Sequence, residues 1–358
     1  MSKVYAVCFG GASSEYEISC VSASWVIDCI RTEDTEVLKI GISQDGVWFL
    51  YNGPTEKIRN LSWIDDKENL VPCVISPCTV QHGIFVFNKA EGTFTSKRID
   101  AVFPVLHGKN GEDGTIQGLF ELARIPYVGC STYSSAVCMD KITAKLICTG
   151  AGIKNAKMTY VRSGADYDAE ALKREAEKIG YPLFVKPSNT GSSVGVSKVK
   201  NSDELINAVE NAFKFDRKVL VEEYIEGREI EVAVFSDRER VIVSECGEVV
   251  PDAEFYDFEA KYVSGGSKTF IPANLCDDVA EKVRAAAKQV FELLDCKGLS
   301  RVDFFVKKDG EIYFNEINTI PGFTEISLYP SLMRHLGIDG EELVEMLFES
   351  ASLGGACL

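Results

Sequence analysis

The chain is poor in histidine, with three in 358 residues, and its twelve cysteines include no Cys-x-x-Cys pair. A zinc centre needs closely spaced thiolate and imidazole ligands. Cys73 and Cys78 are the nearest couple, so no zinc set assembles. Cys8, Cys138, Cys148 and Cys296 lie in apolar segments of a chain large enough to fold without covalent staples, and read as reduced core thiols. Positive charge is also scarce: 38 Lys and Arg against 54 Asp and Glu leave a formal charge of −16. Binding a phosphate backbone or an anionic bilayer takes clustered Lys and Arg, which argues against both as partners. No apolar run approaches the roughly 18 to 20 residues that span a bilayer. The first run, residues 4–9, is too short for a signal-peptide core, and a cytoplasmic protein is expected.

What is present is material for several cores: 46% of the residues are hydrophobic, and the length predicts two or three domains. Residues 4–9, then Gly10-Gly11 and a helical stretch over 19–30, open a βα unit. Residues 37–42 and 101–105 read as further buried parallel strands, with smaller additions at 48–51 and 83–87. A doubly wound α/β domain over residues 1–138 follows. A small α+β unit over 139–223 is predicted from a helix at 141–150, strands at 183–186, 194–199 and 219–223, and a helix at 203–213 capped by Ser202. Residues 224–358 hold antiparallel strands at 229–235 and 241–248, a long polar loop near 251–274, a helix at 279–294, a hairpin and a last helix at 340–350. A polar loop of that length predicts an active-site lid.

The hairpin, residues 301–318, carries the most chemistry. Asp309-Gly310 is a type I′ turn signal, because both central residues take positive φ. Lys308 then faces Glu311, and counting outward sets Asp303 opposite Glu316 and Arg301 opposite Asn318. Alternation places these four on one face, with Val302, Phe304, Asn315 and Ile317 on the other. Facing carboxylates in an apolar ribbon repel each other and are costly to desolvate. A divalent cation reverses that penalty, and carboxylate and amide oxygens without sulfur or imidazole suit Mg²⁺ shared with substrate phosphates. On charge alone, an acidic ribbon facing water is the alternative.

Upstream, residues 186–195 form a Gly/Ser loop between two apolar strands, led by Lys186 and including Ser192 and Ser193. Small residues let backbone N–H groups approach a polyanion, although the loop lacks the Gly-Lys-Ser/Thr of a Walker A motif. An ordinary hairpin connection is the plainer reading of the loop taken alone. The segment 219–225 ends an apolar strand in Glu222 and Glu223; an exposed strand end is the plainer reading, and its position between the loop and the hairpin favours the edge of a nucleotide cleft.

Seven motifs in order closely resemble the D-alanine:D-alanine ligases of the ATP-grasp superfamily. They are Phe9-Gly-Gly-Ala-Ser-Ser-Glu-Tyr-Glu-Ile-Ser19, His107-Gly-Lys-Asn-Gly-Glu-Asp-Gly-Thr-Ile-Gln-Gly118, Met139-Asp-Lys141, the Lys186 loop, Glu259-Ala-Lys-Tyr262, Arg301-Val-Asp303 and Asn315-Glu-Ile-Asn-Thr-Ile-Pro-Gly322. The resemblance implies a three-domain ATP-grasp fold, with nucleotide held between the central and C-terminal domains. It implies a reaction in which MgATP phosphorylates one D-alanine and the amine of a second attacks the acyl phosphate. Asp303, Glu316 and Asn318 would hold two Mg²⁺ ions, with Mn²⁺ a possible substitute. Lys141 and Lys186 match phosphate-contacting lysines, and Lys261 the lysine reaching the transferred phosphate. Glu222, Ile225 and Glu229 match the adenosine pocket. Glu15, Ser192 and Tyr262 match a triad at the first substrate, beside His107. Arg301 and the Gly322 N–H match the oxyanion pair, and Ser327 with the Leu328 N–H the clamp on the second substrate's carboxylate. A homodimer is usual in such a family.

Residues 103–110 and 315–322 also look like the D-alanine:D-serine branch, which commonly has a basic residue where this chain has Leu328. An apolar side chain there suits a methyl group, and Tyr262 follows the peptide-forming pattern, so D-alanine is expected as the second substrate. Glu325-Ile326 departs from the Ser-His that relatives often carry before Ser327. A D-alanine:D-serine ligase and an ATP-binding sensor without turnover are the competing expectations.

Overall fold

A computed structural model describes residues 2–164, 167–237, 239–251 and 267–354. The first sheet contains β1 (Lys3–Gly10), β2 (Thr35–Ile42), β3 (Trp48–Tyr51), β4 (Leu70–Ile75), β5 (Gly83–Asn88), β6 (Thr93–Arg98) and β7 (Ala101–Pro104), in the order β6-β5-β4-β3-β2-β1-β7. β1 runs parallel to β2 and β7, while β3 to β6 extend the sheet by antiparallel pairing. An unbroken apolar β1 is buried on both faces, as a central parallel strand requires. Tyr5, Val7 and Phe9 pack with α1 (Tyr16–Cys29). Ala6 and Cys8 face the opposite layer, which includes Phe120 and Ala123 of α3 (Thr115–Ala123); the short α2 (Thr55–Arg59) adds Ile58 to the α1 side. Helices thus cover both faces of the parallel strands.

After α4 (Thr132–Met139) and α5 (Lys141–Gly150) comes a second sheet of β8 (Met158–Arg162), β9 (Leu183–Pro187), β10 (Ser197–Val199) and β11 (Lys218–Glu223), antiparallel in the order β10-β9-β11-β8. Its core includes Leu172 and Ala176 of α6 (Ala169–Ile179), and Leu205 and Val209 of α7 (Ser202–Ala212). The cap of α7 is Asn201, not Ser202. Asn201 has extended backbone and its Oδ1 accepts from the N–H groups of Asp203 and Glu204, leaving Ser202 in the first turn.

The third sheet is built from β12 (Arg228–Ser236), β13 (Val241–Val243), β14 (Gly247–Pro251), β15 (Ser267–Phe270), β16 (Gly298–Val306) and β17 (Ile312–Asn318), with β13 paired only on β12. The strand expected over 241–248 is divided in two. The break falls at Ser244, whose N–H still donates to Ala233 C=O while its Oγ, in place of its C=O, accepts from Ala233 N–H. Residues 252–266 of the expected lid lie outside the described residues; 267–270 form β15. One face of this sheet packs on α8 (Asp277–Leu293) through Val283, Ala287 and Val290. Its other face shares a core with the first sheet, joined by α9 (Leu328–His335) and α10 (Gly340–Gly354). Phe348 of α10 stacks on Tyr5 of β1 with ring centroids 4.1 Å apart, and Phe323 packs against Trp25, Phe103 and Tyr329. The residues just after β17 are therefore pinned to the first sheet.

The hairpin turn differs from the sequence expectation. Lys307 N–H donates to Glu311 C=O and Gly310 N–H to Lys307 C=O, and Gly310 takes φ +85° while Asp309 stays negative. This is a three-residue connection with glycine in the left-handed position, which offsets the pairing by one and sets Val306 opposite Ile312. Asn315, expected on the face away from Glu316, is instead the extra residue of a bulge that restores the offset. Asp303 faces Glu316 and Arg301 faces Asn318. Two irregularities cancel, and the site register survives. Gly310→Ala is expected to cost about 1 kcal/mol, since a Cβ at positive φ is strained, and to lower the urea midpoint without changing the far-UV spectrum.

Candidate active site

A cleft of about 800 Å³ opens between the second and third sheets, lined by Lys141, Lys186, Ser192, Ser193, Glu222, Ile225, Glu229 and Glu316 among others. Register across three adjacent strands puts Glu231, Asp303 and Glu316 in one row, with Ala233, Arg301 and Asn318 in the next. Arg301 answers the row: its Nε lies 2.8 Å from both Glu231 Oε2 and Asp303 Oδ1, and its Nη2 2.8 Å from Asp303 Oδ2. Asn318 Nδ2 donates to Asp303 Oδ2 at 2.9 Å, and Lys141 Nζ pairs with Glu316 Oε2 at 3.1 Å. Among the described residues, Arg301 and Lys141 meet the repulsion expected from the sequence. Among the described residues no group of three His, Cys, Asp or Glu side chains is placed to hold a metal. A hard divalent ion here would draw on Asp303, Glu316 and the Asn318 amide oxygen, and complete its shell with water or phosphate, as Mg²⁺ does.

At the floor of the cleft Glu222 sits among lysines. Lys186 Nζ is 2.6 Å from its Oε1 and Lys145 Nζ 3.0 Å from its Oε2, all three side chains being largely buried. Burial pushes the Glu222 carboxyl up, but the two ammonium groups more than reverse this and hold it at about 2. Ile225 is buried with Ala156 and Tyr313 beside it, in an apolar wall suited to a base. Cross-strand pairing with Phe184 sets Glu222 and Lys186 on one face of the sheet.

The loop after β9 carries Ser192 and Ser193 at φ +50° and +59°, strained for side-chain-bearing residues. Its backbone reaches back to α5, where Lys141 Nζ donates to Thr190 C=O at 2.9 Å. Ser192 Oγ donates to Glu15 Oε1. Glu15 occupies the cap position of α1 but makes no capping bond there, its carboxylate being turned to the loop. The approach is so close that a Cβ on Gly191 would stand 2.7 Å from Glu15 Oε2. Lys261 and Tyr262 lie outside the described residues.

His107 is buried and both ring nitrogens are engaged by protein: Nδ1 by Ile320 C=O at 2.9 Å and Nε2 by Ser22 Oγ at 3.1 Å. Burial lowers its pKa, which keeps the ring neutral. Glu112 completes the arrangement, accepting from Ile320 N–H at 3.1 Å and Gly108 N–H at 2.8 Å. Burial and the nearby Glu15 push its carboxyl to about 8. Ser22 Oγ also accepts from Phe323 N–H, so Gly322 lies inside a segment gripped at 320 and 323. Ser327 Oγ accepts from Thr324 N–H at 3.0 Å and sits at the start of α9. The Leu328 side chain, expected to face the second substrate, is instead buried in the core. A Cβ on Gly247 would meet its Cδ2 at 3.1 Å. Glu231, Glu112, Ser22 and Lys145 were missed from the sequence, since each acts through a partner distant along the chain.

A three-sheet chain with a lysine- and carboxylate-lined cleft between its second and third sheets has the architecture of the ATP-grasp ligases. Models of the D-ala D-ala ligase N-terminus and C-terminus match residues 4–130 and 147–349. The chain is 48% identical to the D-alanine–D-alanine ligase of Acetivibrio thermocellus, over 96% of this chain and 94% of that one. It is 49% identical to that of Ruminiclostridium cellulolyticum, over 98% and 95%. Among solved structures, the VanG D-Ala:D-Ser ligase from Enterococcus faecalis superposes with a TM-score of 0.89 at 42% identity, covering 98% of this chain and 100% of that one. The D-alanine-D-alanine ligase from Coxiella burnetii gives 0.84 at 32%, covering 98% and 94%. The chain belongs to the D-alanine–D-alanine ligase family.

The Glu222 cluster generates a pH prediction. Its folded pKa lies below the ordinary glutamate value of 4.5, so the unfolded chain binds the proton more tightly, and the stability it contributes is present above about pH 4.5 and lost as pH falls towards 2. Glu222→Gln strands two buried lysines, with an expected loss of about 3–5 kcal/mol at neutral pH. In urea titrations the variant's stability should also fall less steeply than wild type between pH 5 and pH 3, values spanning that window.

Proposed function

We propose that this chain is an ATP-dependent ligase that joins two D-alanines through a D-alanyl phosphate to give D-alanyl-D-alanine for peptidoglycan. The observation that carries the reading is the pairing of Arg301, Asp303, Asn318 and Glu316 beside a cleft floored by Lys186 and Glu222. Family membership supports ATP as the nucleotide.

In this reading the domains run 1–138, 139–223 and 224–358. Glu222 and Glu229 take the adenosine polar groups and Ile225 its apolar face. Lys141, Lys186 and Lys261 face the phosphates, with the Ser192 and Ser193 backbone beside them, and spread charge off the transferring phosphoryl group. Asp303, Glu316 and Asn318 would hold two Mg²⁺ ions, or Mn²⁺ in their place, and these would supply charge neutralisation at the phosphates, beside Arg301 and Lys141, which pair with the same carboxylates. Glu15, tied to Ser192 and completed by Tyr262, takes the ammonium of the first D-alanine. An oxygen of that substrate's carboxylate attacks the γ-phosphorus and ADP leaves. Ser327 Oγ and the Leu328 N–H hold the carboxylate of the second D-alanine, whose amine loses a proton and attacks the acyl carbon. Arg301 and the Gly322 N–H stabilise the oxyanion, and phosphate departs. His107, engaged at both nitrogens, acts by holding Ile320 and not by moving a proton. A cytoplasmic homodimer is the proposed form; no helix among the described residues is long and apolar enough to cross a membrane.

D-serine as second substrate is the other reading, favoured by the likeness to the VanG enzyme. With Leu328 buried, its side chain does not decide between them, and the relatives named D-alanine–D-alanine ligase favour D-alanine.

ADP release with MgATP and D-alanine, with and without excess D-serine, tests the reading when products are identified by mass. D-alanyl-D-alanine should dominate; a dominant D-alanyl-D-serine would overturn the specificity, and absence of turnover the enzyme itself. Asp303→Ala and Glu316→Ala should each lower turnover by at least about 100- to 1,000-fold, and retained activity would contradict the metal assignment.

A further inference from the structure

Lys145 has no part in the scheme above, yet among the described residues it is the most deeply buried lysine of the cleft, its side chain 2% exposed against 14% for Lys141 and Lys186. It lies one helical turn beyond Lys141 on α5, and so on the same face of the helix. Its Nζ is 3.0 Å from Glu222 Oε2 and 3.4 Å from Phe314 C=O, and stands 5.8 Å over the centre of the Phe314 ring. Glu222 Oε1 is at the same time 2.6 Å from Lys186. One carboxylate is shared by two ammonium groups. A methionine would fill the space of Lys145 without the desolvation penalty of a buried charge, so packing alone does not account for a lysine here.

We propose that Lys145 is a positioning residue that sets the charge of the cleft floor. By taking half of the Glu222 carboxylate it leaves the Lys186–Glu222–Lys145 cluster with one net positive charge, so that Lys186 meets a phosphate chain as a cation instead of as half of a neutral pair. The cluster is dry enough for one charge to matter: Lys145 and Glu222 are both nearly inaccessible, and such interactions are little screened. Burial lowers the Lys145 pKa while Glu222 opposes the loss of its proton; for Lys186 the pull of Glu222 outweighs burial. A single acid thus opposes the loss of a proton from both lysines. This inference rests on the reading of the cleft as an ATP site.

Calorimetric titration of the full-length protein with MgATP and with magnesium tripolyphosphate, which lacks the base, tests it. Lys145→Met should weaken both on the order of tenfold, whereas Lys145→Arg should retain most of the affinity. The double variant Lys145→Met with Glu222→Gln again has one net positive charge, on Lys186, and should recover tripolyphosphate binding towards wild type. A residue that only packs would not be rescued by removing a second charge. Unchanged affinity in Lys145→Met, or a double variant no better than the single one, overturns the inference. Should Lys145→Met fail to fold, Lys145→Gln takes its place with the same outcomes. Wild-type protein that binds neither probe would contradict the assignment of the cleft, a result separable from failure of the Lys145 role.

Discussion

Three carboxylates in register across adjacent strands, Glu231, Asp303 and Glu316, impose the constraint on which the site depends. Side chains directly opposite in a sheet stand roughly 5 Å apart at Cβ, where like charges destabilise the pairing. The chain answers with Arg301 set between Glu231 and Asp303, and with Lys141 reaching Glu316 from α5. The surrounding structure positions those two cations. α5 is anchored at its start by Asp140, whose Oδ1 caps Thr143 N–H and accepts from Ser188 Oγ, fixing Lys141 beside the loop that begins at Ser188. The electrostatic need that Arg301 and Lys141 meet is one that a divalent cation would also satisfy at these carboxylates.

A second consequence concerns assembly from distant parts of the chain. The loop after β17 belongs to the third sheet by sequence, but it is held by the first: by His107 and Glu112 at Ile320, and by Ser22 at Phe323. Stacking of Phe348 on Tyr5 closes the same interface from the C-terminal side. The Gly322 N–H and Ser327 are thereby set against the same body that carries Glu15. In the proposed reading, two substrates that must meet at one carbon are presented by elements packed on one core, and orientation of that kind lowers a barrier.

How far the site was legible follows from how local each contact is. The facing of Asp303 and Glu316 could be counted from the turn because a hairpin is local, yet the count succeeded for a reason it did not contain: the connection has three residues, and the Asn315 bulge takes up the difference. The motifs placed Lys141, Lys186, Glu15 and Ser192 in one region, and Glu15 with Ser192 are indeed in contact. Glu231 stayed hidden because the β12–β16 register has no signature in either strand alone. Lys145 and Glu112 stayed hidden because a lysine in a helix and an acid in a loop ordinarily face water. Leu328 was misread as substrate-facing: nothing in the sequence shows that Gly247 opens a hollow for it. Asn201 replaced Ser202 as the cap of α7, a shift of one residue between two good capping types.

In the proposed reaction the cleft activates a carboxylate by phosphorylation, and the fate of that carboxylate's oxygen reports on it directly. D-alanine labelled with ¹⁸O in both carboxylate oxygens would be turned over with MgATP, and the released phosphate examined by mass spectrometry. One ¹⁸O in each phosphate is the expected result, since the oxygen that attacks phosphorus leaves with it when the amine displaces the acyl phosphate. Phosphate free of ¹⁸O, with ADP still released, would show that ATP is cleaved without passing through the substrate carboxylate, and would contradict the reaction assigned to this site.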